Sequence, residues 1–247
     1  LQKKLNKHYL LLLFSCLCYT PGLFAQYPTV RERIINLPTF DQKPIHYGYY
    51  IGLNQYDFKF DYVDNYYKEL QYKDVAVIPK SGFCVGLIGD LRLNTFFNLR
   101  FEPGLYYSRR ELQYPDIVGF NKESDKLREV KSTYIHLPIM LKISTKRINN
   151  FRPFIMAGFS TDFNLSSNQK NRDDNASNVF RTTSQNLNYE LGLGFDFYLY
   201  YFKFSPSLRG IFSFQNELIP DADPNSPWTG IIDSMFSRGI AIIITFE

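Results

Sequence analysis

The sequence predicts an all-β fold, an eight-stranded antiparallel barrel that crosses a membrane with its strands, and three observations carry that reading. Between residues 47 and 246 every long stretch alternates apolar and polar residues with a period of two, as a strand does when its two faces meet different surroundings. The connections between these stretches alternate short and long. The 247 residues include 23 Phe and 19 Tyr, more aromatic surface than an ordinary soluble core uses. Yet past the N-terminal stretch no run reaches the roughly 18 continuous apolar residues that suggest a spanning helix.

Leu1 to Ala25 reads as an export signal. Lys3, Lys4 and Lys7 are its positive start, Tyr9 to Cys18 its apolar centre, and Leu23-Phe24-Ala25 its cleavage site. Removing those three lysines from the 28 basic residues leaves 25 against 24 acidic ones. The formal charge of +4 is thus mostly the signal's, and no argument for a nucleic-acid partner survives. Cys16 and Cys18 leave with it, and Cys84 alone cannot form an intramolecular disulfide. Leu13-Phe14-Ser15-Cys16 imitates a lipoprotein box only loosely, because Phe14 is bulky where such boxes take small residues. Residues 26–45 follow as a periplasmic lead, and residues 46–247 as the barrel. In the lead, Arg31, Arg33, Asn36, Pro38, Phe40 and Asp41 are candidates for docking under the barrel or on a partner.

The first strand, Tyr47 to Tyr62, changes phase between Leu53 and Phe58, as a bulge would allow. Gly82 to Asn94 places Phe83, Val85, Leu87 and Leu91 opposite Gly86, Asp90 and Arg92. Phe97 to Arg110 places Leu99, Phe101 and Leu105 opposite Arg100, Glu102 and Arg110. Ser132 to Thr145 sets Ile135, Leu137, Ile139 and Leu141 against His136, Pro138 and Lys142. Phe151 to Leu165 sets Ile155, Phe159 and Phe163 against Ser160, Asp162 and Asn164. Leu187 to Leu199 opposes Leu191, Leu193 and Phe195 to Glu190 and Asp196. Phe202 to Phe214 opposes Phe204, Leu208 and Phe212 to Lys203 and Arg209, and Phe236 to Phe246 is the eighth strand.

Short links fall near Thr95, Lys146 to Asn150 and Tyr200-Tyr201. Long polar links cover 63–81, 111–131, 166–185 and 215–235, all at the opposite end from the short turns. That is the arrangement of an outer-membrane barrel, with long extracellular loops, short periplasmic turns and no strand edge left to lipid. A soluble sandwich or lipocalin-like barrel also alternates, but with its apolar phase inward. Repeated charges on the minor face, loops of about 20 residues and Phe246 closing the last strand favour the membrane form.

With lipid outside, an eight-stranded lumen is just wide enough to be filled by side chains. Asp90, Arg92, Arg100, Glu102, Lys142, Glu190, Asp196, Lys203 and Arg209, together with Arg110, are the candidates for a luminal charge network. Their mixed signs predict ion pairs instead of an aqueous pore, since an unpaired buried charge costs several kcal/mol. A hydrolytic set would have to use His46 or His136, and neither shares a local motif with a Ser or Asp. The expectation is therefore no enzyme, no cofactor and no metal. A lipid hydrolase, or a generic barrel binding surface ligands through its loops, is the alternative. Asp221-Ala222-Asp223-Pro224-Asn225 opens like a calcium loop, but Ser226 replaces the turn glycine and Ile232 the bidentate Glu, so it reads as an exposed turn. Gly192-Leu193-Gly194 lacks the third glycine and the helix of a dinucleotide site and reads as room for luminal packing. Residues 121–131, mixed in sign, read as a solvated loop or short helix, and residues 168–175 as a polar loop.

Asn36-Leu37-Pro38-Thr39-Phe40-Asp41, followed by Lys43-Pro44-Ile45-His46-Tyr47-Gly48-Tyr49-Tyr50-Ile51-Gly52-Leu53-Asn54, resembles the entry into the first strand of the PorT proteins of the type IX secretion system in Bacteroidota. Tyr134 to Lys142 resembles a signature of the wider outer-membrane β-barrel superfamily of that phylum. The resemblance implies an integral outer-membrane component needed to export proteins with C-terminal sorting domains, among them proteases and gliding adhesins. Its partners would be outer-membrane lipid and other secretion components. It implies no catalytic or ligand-binding residue.

Overall fold

The computed structural model describes residues 34–63, 74–115, 120, 123–169, 180–223 and 226–247. The expected signal and Arg31 and Arg33 lie outside the described residues. The chain divides into the units 1–34 and 35–247, and the second of them builds the barrel.

Nine strand segments form one antiparallel ring. They are β1 (Ile45–Tyr62), β2 (Ala76–Arg92), β3 (Phe97–Phe101), β4 (Gly104–Gln113), β5 (Leu127–Ser144), β6 (Phe151–Asn164), β7 (Gln185–Tyr198), β8 (Lys203–Ser213) and β9 (Ile232–Phe246). β1 pairs with both β9 and β2, which closes the ring. β3 and β4 both lie between β2 and β5, so they are two halves of one wall position, and the barrel has the eight expected positions. The break is at Glu102-Pro103, where proline offers no N–H to the ladder. Hydrogen bonding bridges it, because Leu87 N donates to Pro103 O at 2.9 Å and Glu102 N to Pro138 O at 3.4 Å.

The phase is that of a barrel in lipid. Tyr47, Leu53, Phe83, Leu87, Ile139, Phe159, Leu191 and Ile242 are exposed on the outer wall, while Asp90, Arg100, Glu190, Lys142 and Arg209 are buried inside. Inward room is made by Gly192 and Gly194. A Cβ at Gly192 would lie 2.8 Å from Met156 Cγ, and one at Gly194 would lie 2.6 Å from Phe154 Cζ.

The strands are longer at the long-loop end than the alternation predicts: β2 begins at Ala76, β5 at Leu127 and β9 at Ile232. The reason is an inversion of the pattern. Above the lipid-facing band the inside becomes apolar, built from Phe58, Val75, Leu112, Tyr114, Val130, Phe180, Leu218, Ile232 and Met235. The outward positions at this height are charged: Lys59 and Asp61 on β1, Arg109 on β4, Glu129 and Lys131 on β5. This upper storey has a soluble protein's pattern, because water replaces lipid around it. β1 therefore needs no bulge between Leu53 and Phe58. Its pairing with β9 is regular there, and the only register shift in that pair comes at Asp61/Tyr62. The expected loop 121–131 is likewise shortened, since residues 127–131 belong to β5.

Candidate functional site: a closed, charge-paired lumen

The barrel's short-turn end is closed by the residues that precede β1. Asn36 N donates to Asn150 Oδ1 at 2.9 Å, and Asn36 Nδ2 donates to Tyr198 O at 2.9 Å. Arg147, in the β5–β6 turn, donates to Leu37 O at 3.1 Å and to Asn36 O, and its guanidinium lies 3.7 Å from the Tyr198 ring centre. Leu37 has φ 49, a strained conformation for a leucine, particularly one before a proline. Arg147 and the Phe40 N–H, which donates to Leu37 O at 3.2 Å, hold it there. A short 3-10 turn, Phe40–Gln42, then stacks Phe40 on buried His46, with ring centres 4.2 Å apart. Asp41 accepts from Tyr198 OH at 2.7 Å and lies 3.5 Å from Arg152 Nη1.

Above this floor the polar phase of the strands converges on a continuous network. Arg100 reaches Glu247 Oε1 at 2.8 Å, Glu102 at 3.1 Å and Asp90 at 3.2 Å. Glu247 also takes Lys203 Nζ at 2.6 Å. Lys142 Nζ donates to both oxygens of Asp196 at 2.8 Å, and Ser205 Oγ donates to Oδ1 at 2.7 Å. Across the lumen Arg209 Nη2 meets Glu102 Oε2 at 2.6 Å, and its Nη1 lies 3.6 Å from Glu190 Oε2. His136 stands between Glu190, 3.0 Å from Nε2, and Asp162, 2.5 Å from Nδ1. Both its nitrogens face carboxylates. Asn188 Nδ2 completes Asp162 at 2.8 Å.

The next layer up is Arg110, which donates to Ser237 Oγ at 3.0 Å and Tyr134 OH at 2.9 Å and packs 3.9 Å over the Phe58 ring. Glu217, reaching in from the last long loop, accepts from Asn186 Nδ2 at 2.6 Å and Ser237 N at 3.1 Å. Burial pushes its carboxyl above the ordinary range, against the opposing pull of Arg110. The apolar roof lies over this layer.

The lumen is filled. Near the floor a cavity of about 10 Å³, bordered by Asp41, His46, Lys142, Arg152, Asp196 and Lys203, is room for a single water at most. Glu102, Glu190, Arg100, Arg209, Asp90 and His136 are each at most 1% exposed.

Of the sequence-predicted residues, the network thus takes in Asp90, Arg100, Glu102, Lys142, Glu190, Asp196, Lys203 and Arg209. Arg92 is outside the ion-paired network: it borders the small cavity near the floor, its Nε 3.4 Å from Asn94 O in the β2–β3 turn. Asn36, Phe40 and Asp41 are used by the floor, and Pro38 is exposed beside them. Three members escaped the sequence reading of the network: Asp162 and His136, which carried the polar-phase signal, and Glu247, which lies just past the last alternating run. The expected turn at Asp221 is exposed at Ala222 and Asp223 but anchored from within. Asp221 is buried, accepts from Ser226 Oγ at 2.5 Å and lies 3.4 Å from Arg181. His136, sealed in between two buried carboxylates, is out of reach of a lipid substrate.

A family model described as outer membrane protein beta-barrel domain matches residues 24–218. The chain belongs to that family. This outer-membrane β-barrel protein is matched by no curated protein. Among solved structures it is similar to the outer membrane protein OprG from Pseudomonas aeruginosa, at 12% identity and TM-score 0.43, over 82% of this chain and 92% of that one. Neisserial surface protein A aligns at 8% identity and TM-score 0.41, over 82% and 98%. The outer membrane protein AlkL, determined in DMPC lipid bilayers, aligns at 10% identity and TM-score 0.40, over 89% and 92%.

Proposed function

We propose that this outer-membrane barrel is a non-enzymatic component of a type IX secretion system, of the PorT kind, and serves as a membrane-fixed platform for the export of sorting-domain cargo. The reading rests on one coincidence. The residues whose sequence resembles the PorT entry, Asn36 to Asp41, are the ones tied to Arg147, Arg152 and Tyr198 as the barrel floor. A motif that closes the barrel at its periplasmic end suits a protein that presents a fixed surface there. A lumen of paired charges leaves no bore for a folded cargo. The contact with other secretion components then falls on what the floor leaves exposed, Pro38, Thr39 and Lys43.

The test is to delete the gene in its own bacterium and measure sorting-domain cargo in the medium. Cargo retained in the cells, with secretion restored by the wild-type gene, is expected. Unchanged secretion would overturn the assignment.

A further inference from the structure

Just above the lipid-facing band, the outer wall of β2, β4 and β5 carries two cross-strand rows of charge. In the lower row Lys80 stands opposite Arg109 and Arg109 opposite Lys131. In the row above, Glu111 faces Glu129. Lys80 lies 3.1 Å from Glu111, Lys131 lies 3.0 Å from Glu129, and Arg109 reaches both glutamates. The side chains of Lys80, Arg109 and Lys131 are 42%, 44% and 56% exposed, so all three point away from the lumen, where Ser108, Arg110, Val130 and Ser132 are buried.

Below the basic row Phe83 stacks on Tyr107, ring centres 5.6 Å apart, and then come the exposed Val85, Leu105 and Ile135 of the lipid band. The cations thus sit where hydrocarbon gives way to headgroups, on the side of the long loops. Like charges directly opposite one another on neighbouring strands repel, and two glutamates match only two of the three. The row spans three strands, about 10 Å.

We propose that Lys80, Arg109 and Lys131 bind the phosphorylated sugar headgroup of an outer-leaflet glycolipid whose acyl chains lie along Phe83, Val85 and Leu105. The test uses the full barrel in nanodiscs titrated with fluorescent outer-membrane glycolipid, either intact or stripped of phosphate by phosphatase. Wild type is expected to prefer the intact lipid by about tenfold, given that each basic residue near an anionic surface contributes measurably. The K80Q/R109Q/K131Q protein should lose that preference, while K59Q/R238Q, which removes exposed cations on β1 and β9, should keep it. Should the triple variant fail to fold, Lys131→Gln alone decides, with an expected loss of about threefold. A preference kept without the basic row, equal binding of the stripped lipid, or full competition by inorganic phosphate at the glycolipid's concentration would each overturn the proposal.

Discussion

Replacing Arg209 by methionine tests whether the luminal charges act as one network. The guanidinium is 1% exposed and spans from Glu102, at 2.6 Å, to Glu190, at 3.6 Å. Methionine keeps much of the volume and none of the charge. Glu102 would then keep Arg100 Nε at 3.1 Å, and Glu190 would keep His136 Nε2 at 3.0 Å. Removing one partner of a buried pair costs about 3–5 kcal/mol. Because each carboxylate keeps a second partner, the lower end, about 3 kcal/mol, is expected. Adding Glu102→Gln removes the stranded charge. Arg100 still has Asp90 at 3.2 Å and Glu247 at 2.8 Å, so the double variant should be more stable than Arg209→Met by about 1–2 kcal/mol. Equilibrium urea unfolding in micelles measures both. The single tryptophan, Trp228, is a built-in probe, held by its Nε1 on Asp125 O at 3.0 Å and packed beside Phe120 in the roof. An Arg209→Met protein within about 1 kcal/mol of wild type, or a double variant as unstable as the sum of its parts, would refute the network.

The same geometry sets three further expectations. Asp41→Ala removes the acceptor of Tyr198 OH and the partner of Arg152, and hydrogen exchange at the amides of Phe40, Gln42 and Lys43 should speed up about tenfold, as the loss of a hydrogen bond worth about 1–1.5 kcal/mol implies; unchanged protection would mean the floor stands without it. In planar bilayers the wild-type barrel should give no stable conductance, because its lumen is filled by buried ion pairs, and porin-sized steps would contradict the packing. Glu217 has its folded-state carboxyl raised by burial, so the folded state holds that proton more tightly and stability falls as pH rises from the ordinary carboxylate range through the folded value. Glu217→Gln keeps an amide oxygen to accept from Asn186 and Ser237, and it should flatten that slope in urea titrations run upward from the ordinary carboxylate range; an unaltered slope would place the titration elsewhere.

Much of this could be read in the sequence because lipid and lumen differ so sharply. Residues such as Leu191 and Glu190 leave no doubt about which way a strand faces, and their phase gave the barrel, its loops and most of the charged network. What alternation did not reveal is where the surroundings change along a strand. Phe58, Leu112 and Val130 look out of phase until the outer wall at their height is recognised as wet. The strands therefore read short and β1 looked bulged. The floor was legible only as a choice, since no local pattern tells that Arg147, in a turn over a hundred residues away, will hold the carbonyls of Asn36 and Leu37. Glu247 belongs to no alternating run, and its role comes from the register of β9 against β1 and β8.

The pairing across the lumen also constrains the order in which the wall can be assembled. Glu102 and Arg209 sit on opposite sides of the ring, and Arg100 and Arg110 find Glu247 and Ser237 only past the seam where β9 meets β1. A half-built sheet would hold these charges on an open face, paired only with neighbours such as Asp90 and Glu190, where hydrocarbon excludes them at a cost of several kcal/mol per group. Closing the ring therefore completes the neutralisation of its interior. A chain that has not curled shut is kept in water, and one that has is free to sink into the bilayer.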